Sequence, residues 1–444
     1  MRRWRVRDGG PSDRAMLAVR NSRFGCKTVR RGMWDPFNPT GPSESFEHAN
    51  ASTTSRRVTV TSGPHAPLYI DSPRAAERLL ESLGGARALA VDTEGASFHR
   101  FVDRIYLLQL STEQISAVFD PLAVGRLERL GALLEDPDVE VVFHDADYDL
   151  RLLHQDYGWR TTHIFDTRIA AQILGIRAFG LAALLERYFG IKLDKKFQRA
   201  DWSMRPLTPA MLEYAAQDTM YLLELRDRMR EDLERAGRWE WAEEEFARLE
   251  GTHWAPEGEE GSADAYLRIK GVRDLTRRQL AIFRELVLWR DEVARALDRA
   301  TFRVVGNTVL LEVAQGAPRT IDALRIIKGM PRGIVERRGD ELLSAVERGL
   351  GVPDAQLPRF PKARRWERDP NFDVRVSRLR TVRDEAAQRL DLDPGFLCSR
   401  DRLEAIARKN PTTLDELSEV EELRRWEVVE LGEAVLKALK EVGQ

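Results

Sequence analysis

Apolar positions in the first half of the chain switch repeatedly between a spacing of two and a spacing of three to four, the signature of mixed strands and helices. Leu68-Tyr-Ile70 reads as a strand, and Ser72 to Leu83 as a helix stopped by Gly84-Gly85. The apolar run Ala88 to Val91 predicts a strand that runs out at Asp92. Two further strands, Arg104 to Leu110 and Ile115 to Phe119, follow through connections of hairpin length. A helix from Leu122 to Leu134 stops at Asp136-Pro137, a strand covers 139–143, and Leu150, Leu152 and Leu153 mark the next helix. Further on, Thr208 and Pro209 have the chemistry of an N-cap and a preformed first helical residue. The pattern predicts an α/β domain over 65–250, a mixed sheet with flanking helices.

Beyond an acidic linker at 251–262 the chain repeats itself. Arg290-Asp-Glu292, Ala294, Leu297-Asp298, Pro318, Thr320-Ile-Asp322 and Leu324 recur as Arg383-Asp-Glu385, Ala387, Leu390-Asp391, Pro411, Thr413-Leu-Asp415 and Leu417. The shift is a constant 93 residues without a gap, as two copies of one small helical module require. The copies span about 263–350 and 376–444, and 351–375 connects them. The first carries the turn Ile327-Lys-Gly-Met-Pro331; in the second, Trp426-Glu-Val-Val stands there instead.

At 444 residues, 43% hydrophobic and 32% charged, the chain has the composition of a globular protein of several domains. The net charge of −2 hides local segregation. Segment 1–64 is basic, rich in Gly, Pro and Ser, and without periodicity. It is expected to be either a disordered arm that touches RNA or an extension upstream of a true start at Met16 or Met33. No apolar run approaches the roughly 20 residues of a membrane span, and the N-terminus lacks the apolar core of a signal peptide, so a cytoplasmic protein is expected. Cys26 and Cys398 are too few for a disulfide framework or a Cys-x-x-Cys zinc site, so any metal would be held by oxygen. There is no Gly-x-x-x-x-Gly-Lys-Ser/Thr loop, hence no expected nucleotide cofactor.

Candidate chemistry begins at the strand ending Val91-Asp92-Thr93-Glu94. Alternation puts Asp92 and Glu94 on one face, and two adjacent carboxylates call for a shared proton or a cation. Alone, the pair would also suit a solvated strand end. Two segments downstream supply partners: Asp149, in the first turn of the helix after strand 139–143, and Tyr214 with Asp218, one turn apart on the helix that Thr208 caps.

In order and spacing these segments resemble the motifs of the DEDD superfamily of 3′–5′ exonucleases, in the subclass whose third motif is Tyr-x-x-x-Asp. The resemblance is closest to the ribonuclease D family. It extends through Ile105-Tyr-Leu-Leu-Gln109-Leu, Phe165-Asp166-Thr167 and Asp201-Trp202-Ser-Met-Arg205-Pro206. The repeated module resembles the HRDC domain, two of which follow the exonuclease in that family. The resemblance implies a ribonuclease H-like exonuclease domain followed by two small all-α HRDC-like domains. It implies two divalent ions, Mg²⁺ or Mn²⁺, with Asp92 bridging both, Glu94 and Asp218 completing the water-activating site, Asp149 holding the second ion and Tyr214 aiming the water. The implied activity is trimming of structured RNA, tRNA precursors above all, with release of nucleoside 5′-monophosphates. A DNA exonuclease of proofreading type would use the same five residues. A catalytically silent nucleic-acid-binding protein would have no need of all five.

Two basic stretches are candidates for RNA contact. Lys195, Lys196, Trp202 and Arg205 lie in a loop-like stretch where an aromatic among cations suits a stacked base and a phosphate backbone. Trp202 could equally anchor the loop to the core. Arg364 and Arg365 belong to the basic connection between the repeated modules.

Overall fold

The computed structural model describes residues 67–255, 264–361, 369–421 and 423–442. Six strands form one mixed sheet in the order β1-β4-β3-β2-β5-β6: β1 (Leu68–Ile70), β2 (Ala88–Glu94), β3 (Leu107–Ser111), β4 (Ser116–Phe119), β5 (Glu140–Phe143) and β6 (Ile164–Asp166). β2 pairs antiparallel with β3 and parallel with β5. A strand covered on both faces needs a continuous apolar run, and Leu89, Ala90 and Val91 of β2 are completely buried.

The two faces are packed separately. Leu89 and Val91 join Leu108, Leu110, Val141 and Phe143 against α1 (Pro73–Ser82), α3 (Glu128–Leu134) and α4 (Asp147–Tyr157). On the opposite face, Ala90, Val142 and Phe165 meet α5 (Thr167–Ile173), α8 (Leu222–Arg235) and α9 (Trp239–Leu249). Leu107 and Val118 pack there on Ala215 and Ala216 of α7 (Pro209–Met220).

Three details differ from the sequence expectation. The stretch expected as one helix from Leu122 is two, α2 (Pro121–Val124) and α3, because Gly125 takes a left-handed turn at φ 73°. β3 starts at Leu107; Arg104 to Tyr106 are irregular, with the Ile105 amide donating to Asp156. β6 is an additional strand, too short at three residues to leave a periodicity.

The repeated modules keep their 93-residue shift element by element. Helices Arg277–Ala296, Thr301–Val304, Asn307–Gly316, Ile321–Arg325 and Arg332–Gly351 are answered by Phe372–Leu390, Pro394–Leu397, Arg400–Lys409, Leu414–Ser418 and Arg425–Val442. This register corrects one expectation. Trp426 lies in the first turn of the last helix, opposite Gly333, and the counterpart of the Ile327–Pro331 turn is 420–424.

Both modules pack on the nuclease domain. Phe101 reaches the core of the first, where the Ala300 amide also donates to the His99 carbonyl at 3.2 Å. In the second, Trp426 stacks on Trp241 of α9 with ring centroids 4.7 Å apart, and Arg424 pairs with Glu245 at 2.7 Å. No helix among the described residues is long and apolar enough to cross a membrane.

Candidate active site

Three elements bring four carboxylates together at the C-terminal end of β2. Asp92 and Glu94 leave β2 on the face covered by α7, whose Asp218 meets them there. One carboxylate oxygen from each of the three lies within 4.8 Å of the others. Thr93, between them on the strand, turns to the other face. Its amide donates to Asp149 Oδ1 at 2.9 Å, and its hydroxyl donates to the same oxygen. Asp149, in the first turn of α4, is thereby tied to the strand that carries the other two ligands. Thr208 caps α7 by accepting from the Met211 amide, which starts the helix in the phase that sets Tyr214 and Asp218 on one face.

Burial raises the proton affinity of all four acids, and their mutual repulsion raises it further. Asp92 is held well above the carboxylate range by burial and then by Asp218; Asp149 by burial and then by Asp92, against the opposing Thr93 hydrogen bonds. Glu94 is raised by burial and by Asp92, Asp218 and Asp149. Asp218 is pushed up to about 7 by burial and Asp149. Among the described residues no lysine or arginine forms an ion pair with any of the four. Four crowded carboxylates, Asp149 buried and the other three half-buried, with no cationic partner among the described residues, fit divalent cations, and a donor set made only of oxygens fits Mg²⁺ or Mn²⁺ better than zinc.

Tyr214 stands beside this cluster, its proton held more tightly by burial and by Asp218, Glu94 and Asp92. Its ring packs against Trp202 (centroids 6.1 Å) and Phe197 (5.8 Å). With Asp218 it borders a cavity of about 460 Å³ whose other walls include His144, Leu181, Lys195 and Gln198. His144 is kept neutral, pushed down to about 4 by burial and then by Arg168. Thr167 Oγ1 donates to the Phe143 carbonyl, so the His144 Nδ1–H donates to Thr167.

The expected RNA-contact residues divide. Lys195 lines the cleft, and Lys196 is exposed with its ammonium 5.2 Å from the Phe197 ring. Trp202 is 1% exposed, so base stacking is ruled out and the anchoring alternative holds: the indole backs Tyr214. Arg205 is likewise committed to structure. Its guanidinium grips Asp120 through Nε and Nη2 and also donates to the carbonyls of Trp202, Met204 and Tyr106, leaving no face for a phosphate. Arg364 and Arg365 lie outside the described residues.

Two residues named in the sequence only as part of the resemblance, without a role, lie beside the site. Asp166 caps α5 by accepting from the Arg168 and Ile169 amides. It also accepts from the Ala146 amide at 2.7 Å, which pins the start of α4 and hence Asp149. Gln109 lies directly across from Asp92 on β3, is fully buried, and its two amide atoms have no protein partner. Its local sequence signal, beside that resemblance, is a polar residue inside an apolar strand.

A mixed sheet with a carboxylate cluster at the end of its central strand, and a tyrosine one helical turn before the last carboxylate, is the arrangement of a 3′–5′ exonuclease. Residues 67–234 match the family model described as 3′–5′ exonuclease, and 279–346 and 373–439 each match the HRDC domain. Ribonuclease D of Gluconacetobacter diazotrophicus is 31% identical over 345 residues, 77% of this chain and 86% of its own. The crystal structure of Escherichia coli RNase D superposes with a TM-score of 0.63 at 26% identity, covering 84% of this chain and 98% of that one. A protein from Bifidobacterium adolescentis superposes with a TM-score of 0.74 at 27% identity, covering 86% and 99%. The chain belongs to the ribonuclease D family and is a 3′–5′ exoribonuclease.

Proposed function

We propose that this exoribonuclease hydrolyses the last phosphodiester at the 3′ end of structured RNA, releasing nucleoside 5′-monophosphates, with tRNA precursors in the cytoplasm as the substrate. The observation that carries the reading is the convergence of Asp92, Glu94 and Asp218 within 4.8 Å, with Asp149 tied to the same strand by Thr93. The E. coli relative is described as an exoribonuclease involved in structured RNA processing, which supports the substrate class.

Asp92, Glu94, Asp149 and Asp218 would hold two divalent cations, Mg²⁺ or Mn²⁺. When bound, such ions neutralise the scissile phosphate, lower the pKa of water and stabilise the leaving 3′ oxygen. By the family resemblance Asp92 would serve both positions, Glu94 and Asp218 the one beside Tyr214, and Asp149 the other. A phenol with an ordinary pKa near 10 stays protonated at neutral pH, so Tyr214 orients the attacking water by hydrogen bonding and does not act as its base. Trp202 and Phe197 hold the ring in that position. Lys195, on the cleft wall, and Lys196 beside it attract the phosphate backbone.

The test is incubation of the purified protein with 5′-labelled RNA and DNA oligomers, with and without EDTA. The reading predicts an RNA ladder shortened from the 3′ end that EDTA abolishes. Faster shortening of DNA than RNA would favour the proofreading type, and no shortening of either would favour a silent binder.

A further inference from the structure

We propose that Phe98 and Phe302, one from the nuclease domain and one from the first HRDC module, form a stacking step for the single-stranded RNA that leads out of the cleft. This rests on the exoribonuclease reading of the carboxylate site and adds a binding site spanning two domains.

The two rings meet edge to face, centroids 6.2 Å apart at 77°, yet Phe98 is 50% and Phe302 53% exposed. Neither belongs to any of the buried cores. The apolar seal of this seam is made by a different residue, Phe101, which packs into the HRDC core. Two half-exposed phenylalanines held together without a burial role are a costly surface unless something covers them.

The surrounding charge identifies the cover. The Arg199 guanidinium lies 5.7 Å from the Phe98 ring centroid, that of Arg303 6.0 Å from Phe302, and that of Arg295 5.2 Å from Phe101. Among the described residues none of the three pairs with a carboxylate. The local acids are already engaged, Asp298 with Arg100 and Asp201 with His99. Aromatic faces with guanidinium groups that carry no carboxylate partner make a platform for stacked bases and their phosphates.

The step is also near the site and rigidly held. Phe98 is four residues past Glu94, so its Cα is within about 14 Å of that ligand's. The His99 and Arg100 amides both donate to the Ala96 carbonyl at 2.8 Å, which folds the loop back. Arg100 donates to Ser203 at 2.6 Å, and Arg303 donates to the Phe98 carbonyl across the seam. A strand held at the carboxylates by its 3′ end would meet the rings a few nucleotides upstream.

The experiment measures the affinity of the full chain for a long single-stranded oligoadenylate and for a dinucleotide. Binding is measured with Mg²⁺ and Asp92→Asn to prevent cleavage, in parallel with wild-type turnover on the same RNAs. With Phe98→Ala and Phe302→Ala together, the affinity deficit on the long strand should exceed that on the dinucleotide by about tenfold, the scale of one lost base stack. Phe98→Tyr with Phe302→Tyr should restore long-strand affinity. Phe98→Leu with Phe302→Leu, which keeps apolar bulk at the seam, should not. Equal deficits on both RNAs, wild-type affinity in the leucine pair, or a dimer that the alanine pair dissociates would each overturn the proposal. Absence of wild-type RNA shortening would instead overturn the reading on which it rests.

Discussion

Asp298 and Asp391 lie 93 positions apart, hold the same left-handed turn after the long first helix of their modules (φ 44° and 52°), and are each met by an arginine of the nuclease domain. Arg100 Nη1 is 3.2 Å from Asp298, and Arg177 Nη2 is 3.5 Å from Asp391. The duplicated module thus docks twice through one structural device. These pairs are exposed and contribute little energy. They set register, while Phe101 in the first interface and the Trp241–Trp426 stack in the second supply burial.

The buried pair of the second interface is predicted to matter more. Arg424→Leu leaves Glu245, 8% exposed, without its arginine and should cost about 3 kcal/mol in the stability of the docked module. Chemical denaturation should show a transition at lower denaturant than in the wild type. An unchanged midpoint would mean that the Trp426 stack alone holds the module.

Thr93→Val is predicted to reduce turnover about tenfold while leaving the fold intact. The hydroxyl that fixes Asp149 is lost, but the backbone amide still donates. Removing an outer hydrogen bond to a ligating group commonly costs 10- to 100-fold in metal affinity or activity. The check is Mn²⁺ affinity by titration calorimetry beside steady-state kinetics. Equal values for variant and wild type would separate Thr93 from the site.

The carboxylates that converge in the structure were legible as candidates in the sequence because each rests on a local rule. Alternation joins Asp92 to Glu94, a helix's first turn receives Asp149, and one turn joins Tyr214 to Asp218. What failed depended on partners remote in sequence. Arg205 looked like a phosphate ligand because Asp120, 85 residues earlier, gives no local sign that it will take the guanidinium. Trp202 was ambiguous for the same reason, since the ring it supports belongs to a helix not yet begun. The sheet was read apart from β6, whose three residues pair only once β5 is in place. Trp426 was placed six positions off, since the constant 93-residue shift sets Val420, not Trp426, opposite Ile327.

Metal-free stability should fall as pH rises. Burial and mutual repulsion raise the folded-state pKa values of all four acids, to about 7 for Asp218. A raised acid stabilises the fold fully below its unfolded value near 4 and loses that contribution as pH climbs through the folded value. In EDTA, Tm should therefore decline between about pH 4 and 7. Added Mg²⁺ should raise Tm little at pH 5 and most above pH 7, and Asp218→Asn should shrink both effects. A metal increment independent of pH would contradict the account.

Tyr214→Phe should be milder than Asp218→Asn. In the proposed reading the phenol only orients water, whereas Asp218 is one of three residues whose carboxylate oxygens lie within 4.8 Å of one another. Kinetics and metal titration together should show Tyr214→Phe lowering kcat with metal affinity retained, and Asp218→Asn lowering both. Equal losses with metal affinity unchanged in both would remove the distinction.

The most direct measurement of the central claim is turnover of Asp92→Asn on 5′-labelled RNA in Mg²⁺, read beside its circular dichroism and its Tm in EDTA. Removing one preorganised electrostatic group typically costs about 10²- to 10³-fold, and on this account Asp92 would serve both metal positions. The account predicts at least a ~10³-fold loss with an unchanged spectrum, and a metal-free Tm equal to or above that of the wild type because one of four crowded charges is gone. Wild-type turnover in the folded Asp92→Asn protein would contradict it.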